Sequence, residues 1–336
     1  MKQIDEEDIT EAIKQYDPNC HIEEKEDISG HNNRIFKVRL EKRMVICKFC
    51  TGENGSQNCR KEVNMHQLLE DRDNVKTPEI LYSDASGEKS EFSFFITEYV
   101  EGESLQDSFP EMEAEKQVGV VEQAGQIIGE VHSKICFDYA GELIPENENI
   151  KVDGESGWVE YIIEELSNAT GKAEHTRFSD LTEKAEEIVN KLSELDEPKK
   201  TLVFYDFRPD NVIAKEGRIE ALIDFERAWA GDPLWDYAYS EMSFVEPHRY
   251  YDMHEPPNAD EDKLRKTFQK GYETEREPER NWRQKVNLYK LGIIIKRFNS
   301  FESWTESTEM TEEEIKRQEE LIRTSFNKLY QSLNMG

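Results

Sequence analysis

The opening residues, MKQIDEEDITEAIKQY, read as an acidic amphipathic helix, with apolar positions collected on one face. The period then shortens to two. RIFKVRL (34–40) and RMVICKFC (43–50) are short β-rich runs joined by the charged pair Glu41–Lys42, the pattern of a hairpin. CRKEVNMHQLLEDR returns to helical spacing, with Val63, Leu68 and Leu69 on one side. TPEILYSD and EFSFFITEYV supply further strands, separated by ASGEKS as a turn. Strands, one helix and more strands predict a small α+β unit over roughly the first hundred residues, with EGES (101–104) as a connector.

Beyond the connector the spacing is mostly helical. EAEKQVGVVEQAGQIIGEVHSKI, WVEYIIEEL, LTEKAEEIVNKLSEL, LWDYAYSEMSF, DKLRKTFQKGY, WRQKVNLYKLGIIIKRFNSF and EEEIKRQEELIRTSFNKLY all carry it, and a β-rich insert at 201–224 is the exception. The chain has 336 residues, too many for one simple core and about right for two packed lobes. The predicted architecture is α+β and bilobal: a small β-rich N-terminal lobe over residues 1–100 and a larger, mainly helical lobe over 101–336.

Composition narrows the function classes. Acidic residues outnumber basic ones 73 to 43, a formal net charge of −30, which repels phosphate backbones and anionic membranes. Nucleic-acid and membrane partners are therefore not expected; the acidic excess reads as a heavily solvated surface, as in proteins that work at high salt. No apolar run is long enough to span a bilayer and no signal-peptide pattern follows Met1. Five cysteines, sparse and odd in number, fit reduced thiols, so the expected compartment is the cytoplasm. Cys47 and Cys50 form a C-x-x-C, but no second pair follows and the strand spacing sends them to opposite faces. NATGK (168–172) lacks the first glycine and the spacing of a phosphate-binding loop.

The chemistry concentrates in VFYDFRPDN (203–211) and ALIDFE (221–226). Asp206 follows a β-like run, Asn211 completes a D-x-x-x-x-N spacing, and Asp224 ends a second run after the hairpin NVIAKEGRIEALID. That geometry brings two carboxylates and an amide to one end of a small sheet, a donor set suited to a hard cation such as Mg²⁺. Taken singly, either aspartate could be a helix cap or a turn residue.

YDFRPDNV…ALIDFERAWAGDPLWDYAYSE resembles the signature of the aminoglycoside phosphotransferase and choline kinase family, which shares the protein-kinase fold; the likeness runs from about residue 20 to 300. The resemblance implies that Asp206 accepts the proton of a substrate hydroxyl, and that Asn211 and Asp224 hold Mg²⁺ on the phosphates of ATP. It implies further that Lys48 grips the α- and β-phosphates and that Glu62, with Glu70 as fallback, holds Lys48 in place. SGHNNRIFKV takes the place of the phosphate-covering loop, with Gly30, Asn32 and His31 as candidate contacts. The backbone of Glu98, Tyr99 and Val100 would meet the adenine edge. One departure stands out: Phe204 and Tyr205 occupy positions where the family has His-Gly. Arg208 would either neutralise the transferred phosphate or pair with Asp210.

For the acceptor, Glu226, Asp232, Asp236 and Glu241 interleave with Trp229, Trp235, Tyr237 and Tyr239. Acids mixed with aromatics can bind ammonium groups, which favours a cationic acceptor such as an amino sugar or a choline-like alcohol; Glu226, Trp229, Asp232 and Asp236 are the candidate contacts. In the family, however, the aspartates of GDPLWD cap helices and brace the catalytic loop. FNSFESW (298–304) reads equally as a substrate wall or a helix end facing the core. The expected activity is ATP- and Mg²⁺-dependent transfer of phosphate to a small-molecule hydroxyl. The alternative is a nucleotide-binding pseudokinase with a regulatory role. Sequence does not indicate the oligomeric state.

Overall fold

The computed structural model describes residues 4–29, 33–52, 54–70, 72–87, 91–250 and 255–334. The N-terminal part contains α1 (Glu6–Tyr16), β1 (Ile22–Asp27), β2 (Arg34–Leu40), β3 (Met44–Phe49), α2 (Gly55–Leu69), β4 (Ile80–Asp84) and β5 (Phe94–Glu98). Its strands form one antiparallel sheet in the order β1-β2-β3-β5-β4. Asp5 starts α1 by accepting from the N–H groups of Glu7 and Asp8, while Asp8 accepts from the N–H of Asp5. The helix buries Ile9 and Ile13 with Val38, Val45, Cys47 and Ile96. On the sheet's other face α2 packs Cys59 and Val63 against Cys50 and Phe95. Cys47 and Cys50 thus join different clusters, as the strand spacing predicts.

The C-terminal part begins with β6 (Glu103–Ser104), α3 (Leu105–Ser108), α4 (Ala114–Lys134), β7 (Cys136–Phe137), β8 (Ala140–Glu146) and β9 (Asn149–Ser156). It continues with α5 (Trp158–Ala173), α6 (Thr182–Ser193), β10 (Lys200–Val203), β11 (Val212–Lys215), β12 (Arg218–Leu222) and β13 (Trp229–Gly231). The helices α7 (Pro233–Phe244), α8 (Glu261–Glu275), α9 (Trp282–Ser307) and α10 (Glu312–Asn334) complete it. The strands make a second sheet, β7-β10-β13-β8-β9, and a three-stranded one, β12-β11-β6. Every helix read from the periodicity is present. β1, β7, β8, β9 and β13 were not anticipated: β9 alternates only at Ile150 and Val152 and is otherwise solvent-exposed, and β7 and β13 span two and three residues.

The connector does more than connect. Ser104 pairs with Ile213 and Glu103 with Ala214, so EGES supplies an edge strand to the sheet that carries the chemical motif. Gly102 makes the approach possible: its φ is 152°, and a Cβ there would lie 2.6 Å from the Ala214 carbonyl oxygen. Among the described residues no helix is long and apolar enough to cross a membrane.

Candidate active site

Two short strands set the geometry. Val212 of β11 pairs with Leu222 of β12, and the N–H of Ile223 donates to the Asn211 carbonyl at 3.0 Å, so Asn211 and Asp224 leave the sheet at the same end. Asp224 takes a left-handed backbone, φ 67°. Across from it, β3 presents Lys48 from the middle of the first sheet, opposite Phe95 of β5. The Lys48 ammonium lies 2.8 Å from Glu62 of α2 and 3.1 Å from Asp224, so one buried cation links the two parts of the molecule. Burial works against the Lys48 charge, but the Glu62 and Asp224 carboxylates outweigh it and raise its pKa above the ordinary lysine value. Glu62 is buried, whereas Glu70 is exposed at the helix end, which leaves the fallback without a role here.

Asp206 sits on the loop between β10 and β11. Its carboxylate accepts from the Tyr239 hydroxyl at 3.0 Å and lies 3.2 Å from the Arg208 Nε. The Asn211 Nδ2 donates to the Asp206 carbonyl at 2.9 Å, which fixes the amide and leaves its Oδ1 as the atom available to a cation. Arg208 also pairs with Asp210 at 2.8 Å, one of the two roles its sequence position left open.

The loop is held from below by Asp236. This carboxylate accepts from the N–H of Phe204 at 2.9 Å and of Tyr205 at 3.1 Å, with His132 at 3.3 Å behind it. Asp236 is fully buried. Asp232 is also buried, capping α7 through the Leu234 N–H at 2.8 Å and pairing with Lys285 at 2.6 Å and the Tyr289 hydroxyl at 2.7 Å. Placing these two aspartates at the acceptor is therefore corrected: both are committed to holding α7, α9 and the loop. Glu241 follows them, buried against Lys290 at 2.8 Å and Arg283; burial pushes its carboxyl up, but those cations outweigh it and hold its pKa at about 2.

Phe204 and Tyr205, where the resemblance led us to expect His-Gly, have distinct roles in this chain. Phe204 packs on Phe225, next to Asp224, with ring centroids 5.8 Å apart, and so braces the second motif by contact. Tyr205 adopts φ 63°, a conformation that favours glycine. This turn explains why β10 ends at Val203, short of where the apolar run extends. The Tyr205 ring stacks on Trp235 at 6.2 Å, and its hydroxyl receives a hydrogen bond from Lys296.

A cavity of about 540 Å³ opens beside Asp206. Tyr205, Trp235 and Tyr239 form one side, and Asn299, Ser300 and Trp304 of α9 another. FNSFESW meets both of its readings, since Phe298 is buried against Phe178 while its neighbours line the cavity. Glu226 and Trp229 line an adjoining cleft with Asn54 and Asn58, and Glu226 accepts from the Asn33 amide at 3.2 Å. Gly30, His31 and Asn32 lie outside the described residues. At the connector, the Glu98 N–H donates to Glu79 at 3.0 Å and its carbonyl accepts from the Thr97 hydroxyl at 3.0 Å, so Tyr99 and Val100 are the better placed of the three for a base edge. Sequence reasoning missed Arg227, Lys296, Arg297 and the hydrogen-bonding role of Tyr239. The signal for two of them was present, as consecutive basic residues interrupting the apolar run LGIII.

The profile of the Phosphotransferase enzyme family (APH) matches residues 24–282. The chain belongs to this family. Solved structures of similar fold agree with the assignment. A protein from Ralstonia eutropha described as an aminoglycoside phosphotransferase shares 18% identity over 96% of this chain and 98% of its own, with a TM-score of 0.69. The aminoglycoside phosphotransferase APH(4)-Ia gives 17% identity over 93% and 96%, TM-score 0.61. APH(2")-IIa, solved with gentamicin, gives 15% over 98% and 97%, TM-score 0.60. At these identities the likeness establishes the protein-kinase-like fold. No curated protein sequence matches the chain. In this chain Lys48, Glu62 and Asp224 are linked directly, and Asn211 joins the Asp206 loop to the strand pair that ends at Asp224.

Proposed function

We propose that this phosphotransferase moves the γ-phosphate of ATP to a hydroxyl group of a small molecule, using Mg²⁺. The observation that carries the reading is the Lys48–Glu62–Asp224 cluster, with Lys48 and Glu62 buried and Asp224 half-buried at the end of the strand pair that also carries Asn211. Such a cluster offers an ammonium to phosphate oxygens, while the separate carboxylate of Asp206 can take a proton. Asp224 and the Asn211 Oδ1 are hard oxygen donors and fit Mg²⁺, which completes its shell with substrate phosphates and water. When bound, the ion neutralises charge on the phosphate oxygens.

Asp206 takes the proton of the acceptor hydroxyl while that oxygen forms its bond to the γ-phosphorus. The bond from phosphorus to the β–γ bridging oxygen breaks, and its electron pair leaves with ADP. Tyr239 and Arg208 orient the Asp206 carboxylate. Lys48 binds the phosphates, and Tyr99 and Val100 offer main chain to the adenine. The use of ATP draws support from APH(4)-Ia, solved as ternary complexes of mutants with ADP or AMP-PNP and hygromycin B.

The test is ATP consumption with Mg²⁺ over a panel of hydroxyl compounds. Asp206→Asn should lower kcat by about 10²–10⁴-fold with little change in the KM for ATP. Lys48→Met should raise the KM for ATP. Tight nucleotide binding without transfer to any acceptor would favour the regulatory pseudokinase instead.

A further inference from the structure

We propose that the acceptor is an anion: a small hydroxylated compound carrying a phosphate or carboxylate group, bound by Arg227, Lys296 and Arg297 in the cavity beside Asp206. This rests on the reading of Asp206 as the base of a phosphotransferase and adds the charge of the acceptor to it. The chemistry of transfer is unchanged.

The chain as a whole carries 73 acidic and 43 basic residues, yet the described lining of this cavity has the opposite balance. Arg208, Arg227, Lys296 and Arg297 face it, and Asp206 is its one carboxylate among the described residues. Three of these cations already have partners: Arg208 is held by Asp206 and Asp210, Lys296 lies 2.7 Å from Glu165, and Arg297 donates to the Tyr250 carbonyl at 3.4 Å and stands over that ring. Arg227 is exposed and has no carboxylate in ion-pair contact among the described residues; its guanidinium stands over the Tyr205 ring at 5.6 Å. Its chain neighbour Glu226 turns instead to Asn33.

Tyr205 organises the basic wall. Lys296 donates to its hydroxyl and lies 5.2 Å from its ring, while Arg227 covers the same ring. Burial lowers the Lys296 pKa, but Tyr205 and Glu165 outweigh it and keep the ammonium charged. The residue that gathers these two cations directly precedes Asp206 and holds a left-handed backbone to do so. A ligand anion seated there has its hydroxyl groups only a few bonds from the proton acceptor, which sets the scale at a sugar acid or sugar phosphate. The volume of about 540 Å³ accommodates such a molecule. Asn299, Ser300 and Ser303 line the same space and suit further hydroxyls. An ammonium in that position would meet the Arg227 guanidinium at like charge, so this side of the cavity favours an anion over a cation.

The experiment pairs each anion with its neutral parent: glycerol 3-phosphate with glycerol, ribose 5-phosphate with ribose, gluconate with glucose. Choline and hygromycin B represent cations. Transfer from ATP should proceed on an anion at a kcat/KM about 100-fold above its neutral parent. Arg227→Gln, at an exposed position that folding tolerates, should raise the KM for that anion about tenfold while kcat and the KM for ATP hold. A neutral or cationic compound used better than every anion overturns the proposal and leaves the phosphotransferase reading intact. An Asp206→Asn variant as active as the parent sinks that reading instead. Ligand-observed NMR on the AMP-PNP complex decides the case without turnover. Glycerol 3-phosphate binding that Arg227→Gln weakens supports an anion site. No binding, or binding that the substitution leaves unchanged, overturns it. Stronger signals with the phosphate esters than with gluconate would assign the anion as phosphate, and the reverse as carboxylate.

Discussion

Single side chains decide how the loop of Asp206 is held. Asp236→Ala removes the acceptor for two buried N–H groups and for His132, and should cost about 3 kcal/mol of stability, read by urea unfolding. An acceptor-binding role alone would raise KM and leave the unfolding midpoint in place. Tyr205→Gly runs the other way: it relieves about 1 kcal/mol of left-handed strain while removing the ring between Arg227 and Lys296. Its stability should be nearly unchanged and its KM for the acceptor raised. Residue identities were legible wherever spacing constrains chemistry, as for Asp206, Asn211 and Asp224. They were not legible in GDPLWDYAYSE. An aspartate beside aromatics looks the same in a sequence whether it faces a ligand or, like Asp232 and Asp236, the backbone beneath a loop.

At the scale of elements, α2 carries both a necessary charge and a costly one. Glu62 pairs with Lys48, but the next residue toward the N-terminus, Lys61, is buried with Glu142 only at 3.9 Å. Burial pulls the Lys61 pKa down to about 8 from an ordinary value of 10.5. The folded protein therefore binds this proton less tightly than the unfolded chain. Stability is complete above pH 10.5 and falls as the pH drops through 8, a penalty of about 3 kcal/mol at neutral pH. Lys61→Met should raise the melting temperature at pH 7, and the gain should vanish near pH 10.5; melts at both values check it. Helices and the first hairpin could be read because their buried faces repeat at fixed intervals. The hairpin β8–β9 could not, because only Ile150 and Val152 of β9 turn toward the core and its last four residues are exposed, too short an alternation to stand out.

The whole molecule couples a charge of −30 to a cavity whose described lining carries Arg208, Arg227, Lys296 and Arg297. Salt screens exposed charges more than buried ones, so raising KCl from low concentration toward about 1 M should raise the melting temperature by relieving surface repulsion. Buried contacts such as Lys290 with Glu241 should persist through that range. A melting temperature that falls with KCl would mean that attractive surface pairs dominate instead. Net charge was available from composition alone, but it averages over the surface and conceals the basic side chains gathered beside Asp206.

Helix α9 has a further consequence. It is 26 residues long; Lys285, Tyr289 and Lys290 near its start are fastened to Asp232, Glu241 and Glu246, while Lys296, Arg297 and Trp304 look into the cavity. Anchorage and selectivity thus occupy successive turns of one rod. A designer wishing to retarget the enzyme could rewrite the distal turns and keep the proximal ones, altering what is admitted without disturbing what performs the reaction.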